Sequence, residues 1–278
     1  MIRSGLLNSV RRTELSARIS LPGANNLLSA LISGSTGLRF ENFEVVRFRF
    51  NDPIFEHGDQ LTHLYFPIDS VLSSLAIMED GTTIEISMIG KNEVAGLAAV
   101  LGGGEARHWT RCTVAGSAAR APAKLVIRSF ADSNDAQKTL LGAYRSLITQ
   151  VSQRAVCNAR HTVLERLSCW LLMLHDRVGN QNLRLTQEAI ASRVGARRAG
   201  ITVAAHMLQS AGGIAYHRGQ IHIAHRETLE TAACECYALL KAEFEGFRTR
   251  NEGATLSHRR PEVCTEKYNR NFGGNGEP

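Results

Sequence analysis

Between residues 43 and 127 apolar and polar positions change over every few residues. Runs at 45–50, 54–55, 64–66, 71–78 and 83–89 are separated by Asp, Gly, Asn and Pro. Short strands at this spacing predict a β-sandwich or jelly roll. A short helix is expected just before them, from Asn25 to about Leu31. From about Ser133 to Asn158 the period becomes helical. Leu141, Tyr144, Ile148, Val151 and Ala155 recur at spacings of three and four, the mark of a coiled-coil seam. Leu140, Leu147 and Val156 form a second apolar line, expected to pack on the β domain. Two apolar lines on one helix predict an interface helix that pairs two copies of the chain.

The pattern is most specific at 185–223, LTQEAIASRVGARRAGITVAAHMLQSAGGIAYHRGQIHI. Thr186 is placed to cap a helix carrying Gln187 and Glu188 in its first turn, with Ala189, Ile190 and Val194 on its apolar face. Gly195 sits where a turn between two helices needs a residue without a Cβ. A second helix follows. Ile201, Ala204, Ala205 and Leu208 face inward, and Arg197, Arg198, Thr202 and His206 are left outside. Gly212 and Gly213 end it. Residues 214–223 alternate around Arg218-Gly219, a hairpin signal. A helix pair with a basic outer face on its second member is a device for placing side chains in the DNA major groove.

Charge sharpens this reading. Nine arginines and no lysine lie between Arg160 and Arg226, against three acids, an excess of +6 that equals the net charge of the whole chain. Arginine's rigid fork suits phosphates and guanine edges, and a pI near 9.2 suits a polyanionic partner.

These residues, with VLERLSCWLLMLHDRVG (163–179) before them and HRETLETAACECY (225–237) after, resemble the C-terminal winged helix of the Crp/Fnr superfamily of bacterial transcription regulators. IFEHGDQLTHLYFPIDSVLSSLAIMEDG (54–81) resembles the sensor roll of the same superfamily, with Gly58-Asp59 at a strand turn. Composition marks a flexible extension at 1–23, poor in core-like apolar residues and punctuated by Pro22-Gly23, and a polar, glycine-bearing disordered tail at 242–278. Between them the resemblance implies an α+β chain with a cyclic-nucleotide-binding-like jelly roll at 24–132, a long dimerisation and linker helix at 133–158, and a winged helix-turn-helix at 159–241. It implies a homodimer on double-stranded DNA, working with RNA polymerase in the cytoplasm. Arg197 and Arg198 would reach bases or flanking phosphates, Thr202 a base or thymine methyl, and His206 lies on the same face. Thr186 and Gln187 would meet phosphate, and Arg218 at the wing tip the backbone beyond. Ala199 and Val203 stand where well-known members carry Glu and Arg, so their half-site is not transferable.

The family's cyclic-nucleotide binders use a Gly-Glu for the ribose and an Arg-Ser for the cyclic phosphate. Here Gly96 is followed by Leu97, and Arg107 by His108. Gly96 and Arg107 remain as candidate ligand contacts, but an aliphatic side chain cannot take the ribose hydroxyl bond. The roll is therefore expected not to bind cyclic nucleotide in the usual way. The alternative is a regulator whose DNA binding is switched by a small molecule or cyclic nucleotide. Gly102-Gly103-Gly104 reads as a hairpin turn, and His57 and His63 as surface residues.

No cysteine precedes Cys112, so the N-terminal iron–sulfur pattern is absent. Cys234 and Cys236, two apart on an expected helix, would point in different directions and read as ordinary helix residues. No metal, cofactor or catalytic group is expected. The dispersed histidines form no triad or metal-spaced cluster, which argues against an enzyme. Six scattered cysteines without CxxC spacing fit a reduced compartment. Without a long apolar run, no membrane span is expected.

Overall fold

The computed structural model describes residues 24–179, 182–217 and 219–251. Helix α1 (Asn26–Ser33) opens it. The Asn25 side chain accepts the Leu28 amide and donates to Pro67 O at 2.8 Å, so one residue caps the helix and moors it to the roll.

Seven strands follow: β1 (Glu44–Phe48), β2 (Pro53–Phe55), β3 (His63–Pro67), β4 (Val71–Ile77), β5 (Thr83–Ile89), β6 (Trp109–Val114) and β7 (Gly116–Pro122). They form two antiparallel sheets, ordered β1-β7-β3 and β2-β6-β4-β5. The expected strands are all present. Alternation explains the packing. Tyr65 points into the roll with Phe48, Phe55, Leu72, Cys112 and Ala118, its ring 5.4 Å from that of Phe55. Leu64 and Phe66, its neighbours, point the other way onto helices, with Ala119 and Ala121 of β7 keeping that face shallow. A sheet covered on both faces reads as a continuous apolar run, as Leu64-Tyr65-Phe66 does.

The strand-like pattern expected to about residue 127 ends earlier. Residues Ala123–Asp132 are helix α2. Its Lys-Leu-Val-Ile run looks like a strand, but Ala123, Val126 and Ser129 are the buried positions, a three-residue spacing, and Leu125 and Ile127 stay exposed. Helix α3 (Asn134–Arg160) follows, capped by Ser133. At 1.5 Å per residue its 27 residues run about 40 Å. Leu140 is fully buried, as expected of its line, whereas Val156 is half exposed and does not join that packing. Leu141, Tyr144 and Ile148 are each more than two-fifths exposed, an apolar stripe that nothing among the described residues covers.

The C-terminal part comprises α4 (Val163–Val178), β8 (Asn182–Arg184), α5 (Gln187–Val194), α6 (Arg198–Ser210), β9 (Ile214–His217), β10 (Gln220–Ile223), α7 (Arg226–Ala232) and α8 (Cys236–Asn251). Thr162 and Glu165 cap α4 reciprocally. The wing is a three-stranded sheet, β8-β10-β9. Strand β8 was not anticipated, being too short to show alternation. The expectation of a disordered tail from 242 does not hold for its first ten residues. Residues 242–251 continue α8, and Phe244 is buried with the Arg177 guanidinium 4.6 Å from its ring centre. The extension 1–23 and residues 252–278 lie outside the described residues. Among the described residues no helix is long and apolar enough to cross a membrane.

Candidate nucleic-acid interface

Helices α5 and α6 form the expected pair. Thr186 Oγ1 accepts the Ala189 amide at 3.1 Å, and Gly195 turns the chain with φ of +68°. Two arginines from outside the pair fasten this turn. Arg154 of α3 donates to Arg193 O at 2.8 Å, and Arg166 of α4 donates to Val194 O and to Gly195 O. The free carbonyls at the C-terminus of α5 thus meet two cations, a favourable pairing with the helix dipole.

Ile201, Ala204, Ala205 and Leu208 of α6 are buried against the rest of the domain. Its outer face carries Arg198, Ala199, Thr202, Val203, His206 and Met207, all exposed. Arg197, the residue before α6, is exposed too. Neither Arg197 nor Arg198 forms an ion pair among the described residues, which leaves both guanidiniums available. Thr202 donates to Gln187 Oε1 at 3.0 Å, so the expected contact residues of α5 and α6 meet at one ridge. Thr186 is exposed at the start of α5 beside this ridge. Val203 is 62% and Met207 50% exposed, so the face is more apolar than the expected contact residues alone indicate. The helical spacing of Ala199, Val203 and Met207 was a signal for it. Leu185 N donates to Gly219 O at 2.8 Å, joining the wing to the start of α5. Arg218 itself lies outside the described residues.

The arginine count behind the sequence reading divides in two. Arg160, Arg184, Arg197 and Arg198 are exposed. The rest of those described are committed inside. Arg177, only 4% exposed, forms a two-pronged pair with Glu93 at 2.6 and 2.9 Å. Its stem lies on Gly90, where a Cβ would come within 2.7 Å of it. Arg193 is buried beside Glu85, which also lies 3.3 Å from Arg154 and accepts the Trp170 indole N–H at 2.9 Å. Burial pulls the Arg193 pKa down and Glu85 opposes it. Arg226 bridges Asp176 and Glu230. Glu85 and Glu93 belong to β5 and the turn after it, so these pairs join the roll to the C-terminal helices.

In the roll, Gly96 has φ of +87°, and a Cβ there would meet His63 O at 2.8 Å. The chain's geometry alone thus accounts for this glycine. Leu97 is buried in the core under α1 and α3, while Arg107 is exposed. Burial lowers the pKa of His108, with His57 adding to the shift. Cys234 and Cys236 depart from expectation. Cys234 lies in the turn between α7 and α8 and Cys236 begins α8, so the argument that two residues two apart on one helix diverge does not apply to them.

Residues 165–232 match the Crp-like helix-turn-helix domain. A search of curated proteins finds no match. Solved structures share the fold across both parts of the chain. FixK2 from Bradyrhizobium japonicum has a TM-score of 0.61 at 15% identity, covering 69% of this chain and 98% of its own. A CRP-family transcriptional regulator from Thermus thermophilus scores 0.58 at 17% identity, covering 67% and 95%. A Crp/Fnr-family putative regulator from Eubacterium rectale scores 0.57 at 19%, covering 75% and 94%.

Proposed function

We infer that the chain works as a regulator of the Crp/Fnr kind, since it carries a Crp-like helix-turn-helix at 165–232 behind a roll and a long helix and shares the fold of solved regulators of that family. We propose that it is a homodimeric, sequence-specific transcription regulator that binds double-stranded DNA through α6. The observation that carries this is the outer face of α6, where Arg197 and Arg198 are exposed and form no ion pair among the described residues, at the end that would enter a major groove. Thr202 and His206 lie along the groove with them, and Thr186 and Gln187 meet the phosphates flanking it. Arg218, between β9 and β10 in sequence, reaches phosphate from the wing. Ala199, Val203 and Met207 offer methyl groups rather than charges, which favours half-sites with thymine methyls at the positions they cover.

The stripe of Leu141, Tyr144 and Ile148 on α3 supports pairing of two chains. A two-fold dimer requires a two-fold operator. Acting with RNA polymerase in the cytoplasm follows from the same reading. Leu97 in the core and Arg107 in solvent support a roll that does not hold cyclic nucleotide in the usual way.

Selection from randomised DNA tests the reading. Wild type should enrich an inverted repeat. Arg198→Ala should relax one position in each half-site, a discrimination of about 1–3 kcal/mol. Val203→Ala should relax a thymine. The logarithm of the affinity should fall linearly with the logarithm of the salt concentration. No enriched motif, or a motif that neither change alters, would overturn it.

A further inference from the structure

Four side chains distant in sequence meet where α3 ends. Cys157 and His161 stand one helical turn apart at the C-terminus of α3. Cys234 and Cys236 come from the α7–α8 turn. The four ligand atoms lie within 4.8 Å of one another. Cys157 Sγ is 3.5 Å from Cys234 Sγ, and Cys236 Sγ is 3.4 Å from His161 Nδ1. We propose that Cys157, His161, Cys234 and Cys236 are a closed tetrahedral site for a zinc ion, which fastens the end of the linker helix to the C-terminal helices.

The geometry matches the ion's needs. Zinc bonds of about 2.3 Å to sulfur and about 2.0–2.1 Å to nitrogen set tetrahedral ligand atoms about 3.5–3.8 Å apart. Three thiolates and an imidazole are a structural zinc set, whereas calcium and magnesium require oxygen. The three cysteines are buried, leaving no open position of the kind a catalytic zinc keeps. An iron–sulfur cluster would hold its ligands around a cage of several atoms, but these four converge on a single point.

The surroundings point the same way. His161 Nε2 lies 3.4 Å from the Glu235 carboxylate, which leaves Nδ1 with its lone pair toward the sulfurs. A carboxylate behind the far nitrogen is the usual support of a metal-bound histidine. Gln153 donates to Cys236 Sγ at 3.0 Å, a bond that steadies a thiolate. A simple Cys157–Cys234 disulfide would leave the placement of Cys236, His161 and Glu235 without a role. The site also fixes the bend between α3 and α4, because His161 ends the first helix and Thr162 caps the second.

The test uses full-length protein purified in reductant without chelator. Mass spectrometry of the metals should find about one zinc per chain. Replacement by cobalt under anaerobic conditions should give the intense visible bands of a tetrahedral thiolate site. Cys236→Ser and His161→Ala should lose the ion, while Cys169→Ala, a buried neighbour outside the four, should keep it. Should the ligand variants fail to fold, Glu235→Gln decides. It should still bind one zinc but yield it to a chelator about 10–100 times more readily. Wild-type protein that takes up neither zinc nor cobalt after anaerobic reconstitution overturns the proposal. So does loss of the metal in Cys169→Ala with retention in His161→Ala, or a Glu235→Gln chelator response equal to wild type.

Discussion

The outer face of the helix-turn-helix and its inner junction with the roll are built from the same residue, arginine, for opposite purposes. Outside, Arg197 and Arg198 are exposed to water, where a guanidinium has almost no desolvation cost and is ready for a phosphate or a base. Inside, Arg177 and Arg193 are nearly sealed, and each would be untenable without Glu93 or Glu85. Removing one partner of such a buried pair costs about 3–5 kcal/mol, against about 0–1 kcal/mol for an exposed pair. A run of positive charge in a sequence is therefore a sum over two populations. Only the exposed one contributes to the field that DNA meets at close range.

The largest effect should come from the centre of the junction. Glu85 faces Arg154 and Arg193, accepts the Trp170 N–H and is hydrogen-bonded by Ser73. Glu85→Ala leaves two buried guanidiniums without a counter-charge. The expected loss is about 3–5 kcal/mol of unfolding free energy, read from urea denaturation. A loss below about 1 kcal/mol would show that the junction is hydrated and that its inner arginines resemble the outer ones.

A paired measurement sharpens the contrast. Arg193→Met removes an inner cation but keeps the apolar stem, and Arg154 still faces Glu85. Stability should fall by about 1.5–3 kcal/mol, the worth of hydrogen bonds to a charged group. The salt dependence of DNA affinity should not change. Arg198→Ala should do the reverse, leaving stability within about 0.5 kcal/mol while weakening DNA binding and reducing the salt slope. If Arg193→Met altered the slope and Arg198→Ala did not, inner and outer would have been assigned the wrong way round.

The two regions also differ in how far the sequence reveals them. The outer face is local. Thr186, Gly195 and the spacing of Ile201, Ala204 and Leu208 fix both helices and their exposed side within 25 residues, so Thr202 and His206 could be placed by periodicity alone. The roll was legible for the same reason, through short alternating runs. The junction is not local. Arg177 and Glu93 are 84 residues apart, and no period links them. The Cys157–Cys234 approach spans 77 residues, and the error over Cys234 and Cys236 came from extending a helix through a turn. Helix α2 misled because its apolar run alternates poorly for either element, and only the buried three-residue spacing separates them.

The smallest expected effect concerns pH and again divides the regions. His175 on α4 accepts from Arg226 Nη1 at 2.6 Å, so its ring must keep a lone pair there. Burial lowers its pKa below 6.5, Arg226 lowers it further, and Asp176 opposes both. In the roll, burial likewise lowers His63, aided by Arg120 and opposed by Glu44. A base whose folded pKa lies below its unfolded value binds fewer protons folded than unfolded. Its stability contribution is present above about pH 6.5 and is lost as pH falls through the folded pKa. Urea midpoints should therefore decline from about pH 6.5 downward. His175→Gln keeps an acceptor for Arg226 without titrating, so it should reduce the decline and leave the part due to the roll. An identical decline in wild type and variant would show that the inner cations do not govern the titration of α4.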